Sequence, residues 1–247
     1  MASSDKRLPK SFWWANCAQF GGALNDNLFK LFITFALIAW AEPDARSGVV
    51  INVSLVFTLP FLLIVPIAGS FADHFSKRWM IVVLKAVEIA VMCFGVYGLS
   101  SGNSIMLYIT MLLMSAQSAF FGPCKYGIIP ELVGSERLSR ANGMLQMFTY
   151  LAILAGTVMA PALSEMFGDF YWKAGLICIL VAAAGFFSSL GIGPSPAHPA
   201  RRISLNGFVN LWKTSTVVRK DGFLTLAILA SSFFTVIGAF LLSLIHI

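Results

Sequence analysis

Apolar residues run through this sequence of 247 residues in seven long stretches, at about 12–40, 49–72, 79–99, 104–123, 143–164, 174–193 and 222–245. A helix rises 1.5 Å per residue, so about 20 apolar residues cross the ~30 Å hydrocarbon layer of a bilayer. Each stretch is therefore predicted to be a transmembrane helix. The polar links between them are short except at 124–142 and 194–221. In the second of these, Leu205, Phe208, Val209 and Trp212 recur at helical spacing, so Ile203 to Val218 is expected either to lie as a helix on the membrane surface or to be a solvated linker.

Composition agrees with the pattern. At 58% hydrophobic and 11% charged, with mean hydropathy +0.82, the chain is too apolar for a soluble domain of its length. Its formal charge of +6 sits in the links and not in a basic surface, which argues against nucleic acid as a partner and for the bilayer. With the amino terminus placed in the cytoplasm, thirteen Lys and Arg fall on the inner side, from Lys6 to Lys220, and only Arg46 and Lys173 on the outer. Trp40, Tyr171 and Trp172 are then interfacial anchors, and Glu42, Asp44, Glu165 and Asp169 lie outside. Ala39-Trp40-Ala41 has the form of a signal-peptidase site, but the preceding apolar run is too long for a signal core and contains Asn25 and Asp26, so a retained helix is expected. Cys17, Cys93, Cys124 and Cys178 show no ligand spacing and are expected to be small buried side chains. The last residues, Leu244-Ile245-His246-Ile247, lie inside an apolar run, which implies the amino-terminal part of a longer protein.

A charge inside the bilayer needs a partner, a water-filled cavity or a job. Gln19, Gly22, Asp26 and Lys30 share one helical face, which is suited to line a cavity. The i,i+4 spacing of Asp26 and Lys30 equally admits a plain ion pair. Lys85 and Glu88, three apart, read first as a self-satisfied pair, and Glu88 becomes a proton or cation site if the pair faces a cavity. Asn52 is either interhelical glue or a further ligand oxygen. Asn25 and Gln117 are candidate polar contacts to a substrate. Pro123 is expected to kink or end the fourth helix, setting Lys125 at the inner mouth among Phe120, Phe121 and Tyr126. Lys125 either snorkels or holds the phosphate of an anionic amphiphile whose chain lies on the rings.

The link Gly69-Ser70-Phe71-Ala72-Asp73-His74-Phe75-Ser76-Lys77-Arg78 packs an acid and two bases between apolar runs. It resembles the loop between helices two and three of major facilitator superfamily transporters: Gly69, Ala72, Asp73, Lys77 and Arg78 match, while Phe71 replaces a Leu and Ser76 a Gly. The resemblance implies an all-α membrane fold: a six-helix amino-terminal bundle at 1–193, a basic linker at 194–221, and the start of a second bundle at 222–247. Phe121-Gly122-Pro123-Cys124-Lys125-Tyr126-Gly127, Pro130-Glu131-Leu132, Arg140-Ala141-Asn142-Gly143 and Asn25-Asp26-Asn27 together look like the lysophospholipid transporter branch, while Gly156 and Pro161 partly echo a motif of exporters. That branch implies cation-coupled transport across a bacterial inner membrane, with Asp26, Asn52 and Glu88 as ion-coupling candidates and Na⁺ or H⁺ as the ion. Substrate would meet Asn25, Gln117, Phe120, Lys125 and Tyr126. An acyltransferase in the same pathway or chain is the implied partner. Gly69, Asp73, Lys77 and Arg78 are expected to form a conformational latch, with Gly69 allowing close approach and Arg78 orienting the acid; a simple tight turn is the alternative.

Three rival readings compete with this one. Export of drugs or other small amphiphiles fits the same pattern. An enzyme is disfavoured because His74, His198 and His246 build neither a His-x4-Asp motif nor a Ser/His/Asp set, and no cofactor or metal site is suggested. A retinal pump is disfavoured because 222–245 holds no Lys.

Overall fold

The computed structural model describes residues 7–168, 170–197 and 207–245. Lys6, Asp169, His198, Pro199, Arg201, Arg202, Leu205 and His246, and the side chain of Phe208, lie outside the described residues. The fold is all-α. Its helices are α1 (Lys10–Trp40), α2 (Arg46–His74), α3 (Lys77–Ser100), α4 (Ser104–Val133), α5 (Leu138–Phe167), α6 (Tyr171–Leu190), α7 (Gly207–Val218) and α8 (Gly222–Ile245). Among the described residues, α1 to α6 are long and apolar enough to cross a membrane.

Two compact units result, Met1–Ile203 and Ser204–Ile247. In the first, α1 is central and packs against α2, α4, α5 and α6, while α2 runs along α4 and α3 fits between α4 and α6. In the second, α7 covers the described part of the predicted surface helix, and Asp221 caps α8 by accepting from the amides of Phe223 and Leu224. Such side-chain caps satisfy amides that a helix start leaves without partners. Ser76 does the same for α3 and Asn103 for α4.

Several helices outrun the apolar stretches that predicted them. The second continues to His74, so the expected ten-residue link shrinks to Phe75 and Ser76. The fourth is not ended by Pro123 but runs through it and Pro130 to Val133, where Gly134 turns the chain at φ 70°. In lipid the helix is what satisfies the remaining backbone groups, so losing one donor at a proline does not stop it. Most of the supposed link at 124–142 is therefore helical.

Apolar packing divides into two clusters along the bundle. One joins Phe12, Met80, Ile81, Cys124 and Ile128, and the other Phe29, Phe32, Met92, Leu107 and Met111. On α1 the first cluster ends at Ala15 and the second begins at Leu28. In the layer between lie the buried Gln19, Asn25, Lys85, Glu88 and Gln117. Cysteine burial is only half as expected: Cys124 and Cys178 are buried, whereas Cys17 and Cys93 lie on outward faces of α1 and α3 and are exposed.

Candidate functional site

A cavity of about 420 Å³ opens in that middle layer, between α1, α2, α4 and the inward face of α3. From α1 it takes Gln19, Gly22, Asp26 and Lys30, the residues that helical spacing places on one face. Asp26 lies near the midpoint of its helix of 31 residues. From α3 come Lys85 and Glu88, and from α4 Gln117, Ser118, Phe121, Lys125 and Tyr126. A larger open depression of about 660 Å³, beside Arg78 and Trp79, is apolar and gathers none of the buried charges.

Lys85 and Glu88 form a buried ion pair, Nζ to Oε2 2.7 Å, with side chains only 1% and 2% exposed. The amide of Asn25 donates to the other carboxylate oxygen of Glu88 at 3.1 Å. Three helices, α1, α3 and α4, build this nest. The Lys85 ammonium lies 5.0 Å from the Phe121 ring centroid, while a Cβ at Gly22 would stand 2.5 Å from Lys85 Nζ. Only glycine leaves that space. Asn25 is thus a clamp on Glu88 within the packed bundle.

Asp26 and Lys30 do not form the i,i+4 pair that their spacing allows. The buried or half-buried ion pairs Lys85–Glu88 and Lys77–Glu131 join other residues. Instead Ser118 donates to Asp26 Oδ2, and Lys30 Nζ sits 5.0 Å over the Phe57 ring. Asp26 Oδ1 is buried and accepts no hydrogen bond. Lys125 Nζ lies 5.0 Å from the Tyr126 ring, whose hydroxyl donates to Gln146 Oε1 at 3.3 Å. Gln117 donates to the carbonyl of Leu84. Three lysines and two acids line the cavity, leaving one formal positive charge beside aromatic faces. That composition suits an anionic group joined to an apolar body.

Three expected site residues do not line the cavity: Asn25, buried as the clamp on Glu88, and Asn52 and Phe120. Asn52 is exposed near the Arg46 end of α2, away from the cavity, because the α2 face packed on its neighbours is that of Val53 and Pro60. Phe120 stands edge-on to Phe71 with centroids 5.8 Å apart; the next residue, Phe121, is the one that enters the cavity. One position is about 100° on a helix, enough to exchange the two.

The predicted latch residues also separate. Lys77, 7% exposed at its side chain, pairs with Glu131 on α4 at 2.7 Å. Ser195, beyond α6, donates to the other Glu131 oxygen. A Cβ at Gly127 would lie 2.9 Å from Lys77 Cε, so this glycine makes room for the lysine stem. Arg78 donates to the Leu190 carbonyl at 3.4 Å, tying α3 to the end of α6. Asp73 is exposed. Gly69 faces open space, so no close approach occurs there; the close approach belongs to Gly127.

Sequence reasoning missed Ser118 and Glu131. Ser118 had a signal, since it shares a face with Phe121, Gly122 and Lys125 at spacings of three, four and seven. Glu131 was marked only as part of the Pro130-Glu131-Leu132 motif, with no sign of its role, because its partner is 54 residues away.

Comparison with known proteins sets this geometry in context. The profile of the Major Facilitator Superfamily matches residues 17–247. The chain is 31% identical over 242 residues to a lysophospholipid transporter from Serratia proteamaculans, covering 92% of this chain and 54% of that protein. It is 31% identical over 188 residues to a lysophospholipid transporter from Yersinia enterocolitica, covering 71% of this chain and 41% of that protein. The chain thus spans about half the length of the curated relatives it matches. A crystal structure of a POT family transporter shares the fold, with TM-score 0.55 at 12% identity, over 92% of this chain and 47% of that one.

Proposed function

The chain belongs to the Major Facilitator Superfamily, a family of transporters and not of enzymes, and from that premise we propose that it forms part of a secondary transporter for an amphiphile with an anionic headgroup, most specifically a lysophospholipid. The observation that carries this reading is the pair of cavity lysines, Lys30 and Lys125, each set over an aromatic face in a cavity of net positive charge. A headgroup phosphate takes the ammonium groups, and the acyl chain takes the rings. The 31% identity to transporters named for lysophospholipids supports the same substrate class.

Transport then proceeds by alternating access, two bundles rocking about a midplane site. Asp26 is the coupling acid in this scheme, since its Oδ1 is buried without a donor and is open to H⁺ or Na⁺. Glu88, held by Lys85 and Asn25, stays fixed and orients the floor of the site. The membrane is the bacterial inner membrane, with the amino terminus and the Lys77–Glu131 clamp on the cytoplasmic side. That clamp is the bundle's share of the latch. An acyltransferase that consumes the delivered lipid is the partner this substrate calls for.

Uptake of labelled lysophosphatidylethanolamine and of a cationic dye into vesicles tests the reading. Lysophospholipid uptake that falls in Lys125→Ala is expected, and transport of the dye alone sinks it. The cavity acid Asp26 favours the dye as the second reading, export of a cationic amphiphile.

A further inference from the structure

A second, apolar groove of about 350 Å³ runs along a different face of α1, between α5 and α6. Its residues on α1 extend from Trp13 to Leu24, about 16 Å at 1.5 Å per residue. Phe148 of α5 forms one wall, edge-on to Trp13 and Phe20 with centroids 6.2 and 6.1 Å apart. Ala184 and Gly185 of α6 lie opposite and keep the groove open. No charged residue lines it.

One polar group stands out. Asn16 lines the groove, is 2% exposed, and its Oδ1 is buried with no donor. A buried amide oxygen without a donor costs free energy, more so where lipid and not water lies outside. Asn16 sits six residues into α1, about 9 Å along the helix. An ammonium donor would enter without a carboxylate to balance it, so a neutral hydroxyl is the donor that fits. The volume lies at the small end of ligand pockets and accepts one hydrocarbon chain.

We propose that the α1–α5–α6 groove is a second binding site, taking a single-chain amphiphile whose hydroxyl donates to Asn16 Oδ1. The groove's own lining sets this ligand class, separately from the basic cavity. Binding here places a lipid against the back of the helix that carries Asp26, so occupancy is able to bias the helix on which coupling depends.

Cys17 lines the groove and is exposed, which makes it the reporter. The full chain with Cys93→Ala is labelled at Cys17 with bimane in nanodiscs and titrated with 1-(9,10-dibromostearoyl)glycerol, with its dimethyl ether, or with dibrominated phosphatidylcholine. The hydroxyl probe is expected to quench at about three- to ten-fold lower mole fraction than the ether, the range of one hydrogen bond. Asn16→Leu is expected to erase that preference, and Ala184→Phe, which fills the groove, to weaken both monoacyl probes. Lys125→Ala is expected to leave the quenching unchanged. Equal quenching by all three probes in the parent chain means bulk lipid fills the groove and overturns the proposal, as does an unaltered preference in Asn16→Leu. Failure of lysophospholipid uptake with this selectivity intact removes the transport reading and leaves the groove.

Discussion

Replacing Lys85 by methionine isolates the buried ion pair from the packing around it. Methionine keeps most of the stem's volume between Gly22 and Phe121 but leaves Glu88 without its cation, at 2% exposure. Breaking a buried pair from one side costs about 3–5 kcal/mol, which is a hundred-fold to a few thousand-fold in the folding equilibrium. The double variant Lys85→Met/Glu88→Gln removes the stranded charge. Its glutamine oxygen still accepts from Asn25, so what remains is one unpaired amide donor, about 1–3 kcal/mol. The double variant should therefore be more stable than the single one. Unfolding is read by a thiol-reactive fluorophore in a Cys17→Ala/Cys93→Ala background, where Cys124 and Cys178 are buried and react only as the bundle opens. A double variant no more stable than Lys85→Met would show that the cost lies in shape and not in charge, and would refute the argument.

Gly95→Ala places a Cβ 2.4 Å from the Phe29 ring and 2.6 Å from Thr110 Cγ2; overpacking of about 1–3 kcal/mol should appear in the same thiol assay. Lys77→Met and Glu131→Gln should each cost about 1–3 kcal/mol, less than Lys85→Met because Glu131 is 21% exposed; limited proteolysis after α6 should rise in Glu131→Gln, which also loses the charge that holds Ser195. Asp26→Asn should abolish ion-driven lysophospholipid uptake while membrane insertion, followed by fractionation, stays normal, and undiminished uptake would remove Asp26 from coupling.

The membrane helices were legible because apolar length alone sets them. So was the cavity face of α1, since Gln19, Gly22, Asp26 and Lys30 need only the helical period to converge. Pairing was not. Nothing local says that Asp26 turns to Ser118, 92 residues away, or Lys30 to Phe57, in place of each other. Facing also failed where one position decides it, at Phe120 against Phe121, and at Asn52, whose helix packs through a narrow strip and leaves the rest outward. Gly69 and Gly127 exchange roles for a related reason: a motif marks a glycine, but only the neighbouring helix shows which one is crowded.

Helix α4 continues through Pro123 and Pro130 and carries two handles. Lys125 grips the cavity and Glu131 grips Lys77 and Ser195, six residues apart, or about 9 Å along the axis. Pro130 lies between them, and its missing amide leaves the Tyr126 carbonyl without its helical partner, so this turn is the weak point of the helix. A weakened turn between the two handles lets the cavity end of α4 tilt while the Glu131 grip stays in place.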